Sequence, residues 1–121
     1  MYPKEKNFYL TFLSLLFMTT KSEKELDIEV LPIKKASQVL RAINHNLRRQ
    51  MLQILHVNVR MTVTEIYIKL RLEQSVASQH LAILRKVGLV NTERQGKFIF
   101  YSVNYARLKQ VQEKAGALLK S

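Results

Sequence analysis

Ile33, Ala36, Val39, Leu40 and Ile43 recur at steps of three and four, the spacing of one helical stripe, and predict a first helix over residues 34–44. The turn-prone "NHN" at 44–46 interrupts it. Leu47, Met51, Ile54 and Leu55 then mark a second helix that ends near His56. "TVTE" at 62–65 has the form of a capping box, in which Thr62 accepts from the amides of the next turn and Glu65 reaches back. Ile66, Ile68, Leu70 and Leu72 follow in a short third helix, and "SVASQHLAILRKVGLV" at 75–90 reads as a fourth that stops at a glycine. In "LVNTERQGKFIFYSV" two β-rich arms flank Gln95-Gly96, a two-residue turn suited to a hairpin. A last helix carries Tyr105, Leu108, Val111, Ala115, Leu118 and Leu119. Four helices, a hairpin and a C-terminal helix make a mainly α fold with one β-hairpin, and no repeats or low-complexity tracts occur.

The pattern is regular only from Pro32 onward, so residues 1–33 read as an N-terminal appendage and 34–121 as the domain. The appendage contains an apolar stretch, "FYLTFLSLLFM" at 8–18, broken only by Thr11 and Ser14. It is shorter than the roughly 20 residues that a membrane-crossing helix needs. Its length suits a signal-peptide core, but the residues that follow, "TTKSEKELDIEV", contain no small-x-small cleavage site. An extra helix packing on the domain, or a start-site artefact with the natural chain beginning at Met18, are the other two readings.

Charge changes the picture further. Residues 1–33 hold four Lys/Arg against five Asp/Glu, whereas 34–121 hold sixteen against four. A folded region that basic points to a polyanionic partner, nucleic acid first of all, and no membrane association is expected. There is no cysteine, which removes disulfides, thiol sensing, thiolate metal sites and cysteine nucleophiles together. The acids after residue 33 stand scattered at 65, 73, 93 and 113, and no glycine-rich phosphate loop is present, so paired-carboxylate and phosphate-loop chemistry are not expected and the chain does not read as an enzyme.

At about 100° per residue, Val76, Ala77, His80, Leu81, Ile83 and Leu84 fall on one side of the fourth helix. Ser75, Ser78, Gln79, Ala82, Arg85 and Lys86 gather on the other, a face without a single acid. Serine and glutamine can hydrogen-bond base edges, arginine and lysine neutralise phosphates, and a carboxylate there would repel the DNA backbone. Two short helices in succession, the second presenting such a face, describe a helix-turn-helix. Arg94 and Lys97 beside the hairpin tip supply a second basic contact.

"LRAINHNLRRQMLQIL", "VTEIYIKLRLEQSVASQHLAILRKVGLV" and "ERQGKFIFYSVN" together resemble, in this order, the winged helix-turn-helix regulators of the arsenic-repressor (ArsR/SmtB) family. The resemblance covers about residues 35–120 and includes the S-x-H-L pattern of the recognition helix at Ser78 to Leu81. It implies a cytoplasmic homodimer built on the first and last helices, which binds an imperfect palindrome in double-stranded DNA and represses transcription. By the same match Gln74, Ser75, Ser78 and Gln79 would face bases and Arg94, Gly96 and Lys97 would form the wing tip; Arg85 and Lys86, on the acid-free face, are expected at the DNA backbone. The apolar stripes offer a dimer interface through Val39, Leu40 and Ile43 on the first helix and Leu108, Val111, Ala115 and Leu118 on the last.

The family's sensing positions are altered. Where its metal sensors carry a cysteine pair on the third helix, this chain has Tyr67 and Lys69. Where others bind zinc through Asp and His on the last helix, it has Asn104 near the start and then only Glu113. The three histidines do not compensate, since no two are three or four apart. His80 reads as a helix-packing residue, and His45 and His56 as surface residues. No metal and no cofactor are expected, and the effector, if one exists, is not legible. Two other classes of function fit the basic winged helix: an RNA-binding or architectural DNA-binding protein without sequence preference, and a protein-interaction module using the wing or the apolar N-terminus.

Overall fold

The structure, a computed structural model, describes residues 25–120. The apolar stretch at 8–18, with the signal-peptide, extra-helix and start-site readings attached to it, lies outside the described residues. Among the described residues five helices and three strands follow one another: α1 (Val30–Ile43), α2 (Asn46–Asn58), β1 (Met61–Thr62), α3 (Val63–Leu70), α4 (Gln74–Lys86), β2 (Val90–Gln95), β3 (Phe98–Val103) and α5 (Tyr105–Leu119). Among the described residues no helix is long and apolar enough to cross a membrane.

Local chemistry accounts for the boundaries. α1 begins at Val30, four residues before the expected start, with Pro32 in its first turn, where a missing N–H costs nothing. His45, extended at φ −153°, separates α1 from α2. The capping box at the head of α3 is formed in full: the Glu65 amide donates to Thr62 Oγ1 at 3.2 Å, and the Thr62 amide donates to Glu65 Oε1 at 3.3 Å. α3 ends at Leu70, so Leu72 is not helical. Arg71 takes the left-handed conformation (φ 56°) and its amide donates to the Ile68 carbonyl, turning the chain toward α4 in three residues. α4 closes in a Schellman motif, with Gly88 at φ 80°, its amide on the Arg85 carbonyl at 3.0 Å and the Leu89 amide on the Leu84 carbonyl at 2.9 Å. Asn104 caps α5, accepting from the Arg107 amide while its Nδ2 donates to the Gly88 carbonyl.

The hairpin differs from expectation by one residue. Gln95 pairs with Phe98, so the two loop residues are Gly96-Lys97, not Gln95-Gly96. A positive φ of 62° at Gly96 and none at Lys97 matches a II′ turn, which needs glycine at its first central position. β3 also pairs with β1 on its other side, giving a three-stranded antiparallel sheet in the order β1-β3-β2. The two-residue β1 was not expected from sequence.

Met51, Leu55, Ile66, Leu81, Leu84 and Leu89 are fully buried, and Ala42, Leu52, Met61, Ala77, Val90 and Val103 complete the cluster. Each large side chain in it contributes about 1.5–3 kcal/mol relative to exposure. Ala77, Leu81 and Leu84 sit at i, i+4 and i+7 of α4, so one stripe of that helix is locked against α2, α3 and the sheet.

Candidate nucleic-acid interface

Because the buried stripe fixes the rotation of α4, the opposite side is held outward. Gln74, the first residue of the helix, and Ser75, Ser78, Gln79, Ala82, Arg85 and Lys86 are all exposed. This face combines four short amide or hydroxyl side chains at the N-terminal end with two cations at the other. The apolar side is narrower than the wheel suggests: Ile83 is 39% exposed, and His80 is only partly buried. Lys86 turns toward α1, where it lines a cleft with Lys35 and Arg41, while Arg85 stays on the open side of the helix.

The wing extends beside this face. Arg94, Gly96 and Lys97 are exposed at its tip, and Arg94 Nε donates to the Gly96 carbonyl at 3.2 Å, which braces the turn. The Lys97 ammonium lies 5.4 Å from the Phe98 ring centroid. In the β2–β3 register Arg94 opposes Ile99, while Glu93 opposes Phe100, so the one acid of the hairpin points to the other side of the sheet from Arg94. Sequence reasoning missed Arg60. Its guanidinium stacks 4.4 Å from the Phe100 centroid, on the Glu93 side of the sheet and so on the face opposite Arg94. No sequence signal would have placed it there, because it reaches the wing only through the pairing of Met61 and Thr62 with Tyr101 and Phe100.

The dimer residues expected on α1 and α5 separate into two groups. Val39, Leu40, Val111, Ala115 and Leu118 line one groove of about 340 Å³ between the two helices. Ile43 and Leu108 pack instead against the domain's own core. Leu118 is 76% exposed, but Val111 is only 7% exposed within the single chain.

The histidines are arranged differently from expectation. His45, expected at the surface, is partly buried and stacks on His80 of α4, their centroids 4.9 Å apart. His56 is exposed, as expected, and its Nδ1 lies 2.7 Å from the Tyr105 hydroxyl. Burial, then the neighbouring His45, then Arg48 lower the His80 pKa below its ordinary value.

This arrangement recurs in known proteins. The family described as "Bacterial regulatory protein, arsR family" matches residues 45–92. Over 79 residues the chain is 39% identical to the transcriptional activator HlyU of Vibrio cholerae, covering 65% of this chain and 72% of the relative. The chain belongs to the ArsR family. It is also 33% identical over 109 residues to the biofilm growth-associated repressor of Agrobacterium fabrum, covering 84% of this chain and 86% of that protein. The crystal structure of NolR from Sinorhizobium fredii superposes with a TM-score of 0.62 at 33% identity, over 78% of this chain and 92% of that one. The fold is therefore the family's winged helix-turn-helix, and this ArsR-family chain is a DNA-binding transcriptional regulator, not an enzyme.

Tyr67, Lys69, Asn104 and Glu113 are the residues that the resemblance sets at the family's sensing positions. Tyr67 is partly buried and Lys69 exposed on α3, Asn104 is engaged in capping, and Glu113 lies 4.0 Å from Lys109 in an exposed i, i+4 pair. Among the described residues no three His, Cys, Asp or Glu side chains come together as a metal-binding group.

Proposed function

We propose that this ArsR-family chain is a sequence-specific repressor that acts as a homodimer on an imperfect palindrome in double-stranded DNA and does not respond to metals. The observation that carries the reading is the acid-free outer face of α4, held outward by Ala77, Leu81 and Leu84 beside a cationic wing. Gln74, Ser75, Ser78 and Gln79 read base edges in the major groove; Arg85, Arg94 and Lys97 neutralise phosphates, and Gly96 lets the wing tip approach the backbone, while Lys86, turned toward α1, is left out of that set. One such helix reads too few base pairs to single out a genomic site, which favours a two-fold pair spaced by about one helical turn. The groove between α1 and α5, apolar and open in the single chain, suits a second copy.

Repression requires only occupancy, since a tightly bound dimer excludes polymerase. Two named relatives, the Agrobacterium fabrum protein and PagR of Bacillus anthracis, are repressors. Metal independence rests on Tyr67, Lys69 and Asn104, none of which supplies a thiolate, imidazole or carboxylate at the sensing positions. The deciding experiment is selection of preferred duplexes from a random pool, followed by transcription in vitro from a promoter that overlaps the selected site. A palindromic consensus bound about 10³-fold or more over random DNA, with transcripts falling as protein is added, supports the proposal. A flat selection would make the chain an architectural binder, and rising transcripts an activator.

A further inference from the structure

Between α1, the start of α2, the end of α4 and the first turn of α5 lies a second cleft, of about 500 Å³. Lys35, Arg41, Arg48, Lys86 and Arg107 line it, no acid does, and Gln38 adds an amide. Arg48 is the unusual member. It is only 7% exposed, yet no ion pair to it occurs among the described residues. Its Nη2 donates to the Arg41 carbonyl at a long 3.3 Å, and its buried Nε has no acceptor. A guanidinium cannot shed its proton to escape burial, so a buried fork without a carboxylate is destabilising until an anion meets it. Arg107 is already set in place by Nε donating to the Val87 carbonyl at 3.1 Å and Nη1 to Gln110 Oε1 at 2.7 Å. The unbalanced charge is felt locally, since Arg48 is one of the groups that depress the His80 pKa.

We propose that this cleft binds a small organic polyanion, a phosphate ester or polycarboxylate of metabolite size, as an effector of the regulator. Arginine forks grip the paired oxygens of phosphates and carboxylates, and the volume leaves space for an organic body beyond one such group. A ligand there ties α1 to Lys86 at the end of α4, and so sets the angle of the reading helix against a helix of the proposed dimer interface. That consequence rests on the proposed function; the anion site itself does not.

The same chemistry could be met by a DNA phosphate, and two experiments on the full chain separate the sources. In the first, without DNA, the protein is titrated with inorganic pyrophosphate and with citrate at matched ionic strength, by calorimetry and amide chemical shifts. Saturable binding is expected, with shifts centred on Arg41, Arg48 and Val87 and weakened about tenfold or more in Lys35→Glu and in Arg48→Gln. Lys35 is exposed, so its variant keeps the test decisive even if Arg48→Gln does not fold. No saturation, or binding indifferent to Lys35→Glu, overturns the proposal whatever the DNA experiments show. In the second, Lys35→Glu should bind random duplex with the parent's salt slope. A slope shallower by about 1, with no binding of free anions, would make the cleft a seat for DNA phosphate and overturn the effector role.

Discussion

The imidazoles of His45 and His80 stack at 4.9 Å between centroids, tilted by 50°, and join the turn after α1 to the middle of the reading helix. Nδ1 of each ring is buried without a hydrogen-bond partner. Burial therefore favours the neutral ring at His80. Protonating His80 would set a cation against His45, its stacking neighbour, and against the buried Arg48 guanidinium.

A dependence of stability on pH follows. The His80 pKa is lowered in the folded chain, first by burial and then by His45 and Arg48. Between that lowered value and the ordinary histidine value, the unfolded chain takes up a proton that the native one refuses. The contribution is complete above the ordinary value and is lost as pH falls through the window down to the folded value. The Tm should fall as pH drops through and below the ordinary histidine value, and less steeply in His80→Gln. Parallel Tm profiles for parent and variant would remove His80 as the cause.

Val59 sits at φ 71°, ψ −52°, and the Arg60 amide donates to the Asn58 carbonyl at 2.8 Å, the geometry of a strained γ-turn between α2 and β1. A β-branched residue pays heavily there, and at 72% exposure it recovers little by packing. Val59→Gly should raise stability by about 1 kcal/mol, read as a higher midpoint in urea at unchanged m-value. Destabilisation would mean that the side chain makes contacts that outweigh the backbone strain.

Elements whose signal lies within one segment were legible. The α5 stripe gave Tyr105–Leu119, and the Thr62–Glu65 capping box located the head of α3. What escaped depends on partners distant in sequence. β1 is two residues long and exists only because β3 offers it an edge. His45 looked solvated until α4 brought His80 to it, and Arg48, one of two adjacent arginines on α2, gives no local sign that it is buried. Ile43 and Leu108 share the stripes of Val39 and Val111, but helical spacing alone does not divide a stripe between its own core and a second chain's surface. The hairpin shift has a local cause that was misjudged: only Gly96 takes a positive φ, which makes it the first loop residue, not the second.

Base readout should depend on Gln79, which is exposed one turn into α4, beyond Ser75 and beside Ser78. Gln79→Ala should weaken binding to the selected duplex by about 1–3 kcal/mol and flatten the preference at one or two base pairs. Ser78→Ala should do the same more weakly. Unaltered selectivity in Gln79→Ala would show that another face of α4 enters the groove.

Wing contacts should be electrostatic. Arg94→Ala combined with Lys97→Ala should lower affinity for specific and random DNA alike and make the plot of log K against log salt shallower by about 2, two phosphate contacts having gone. Both side chains are exposed at the tip, so thermal stability should hardly change. An unchanged slope would detach the hairpin from the backbone.

The dimer proposal is best tested on Leu118. Val111 faces the same groove but is already 7% exposed in one chain, so a charge there would strike the domain's own packing as well as any second copy. Leu118 is 76% exposed and loses little in a monomer on substitution. In a dimer built across the α1–α5 groove, Leu118→Glu would bury a carboxylate against Val39 and Leu40 of that interface, a destabilising change that Arg107 and Lys114, which also line the groove, offset only in part. The variant should keep the parent's circular dichroism, sediment as a monomer, and lose most of its affinity for the selected palindrome while retaining weak, salt-sensitive binding to random DNA. If Leu118→Glu sediments as the parent does, the second copy does not sit on this groove, and the two-fold pairing must use another face.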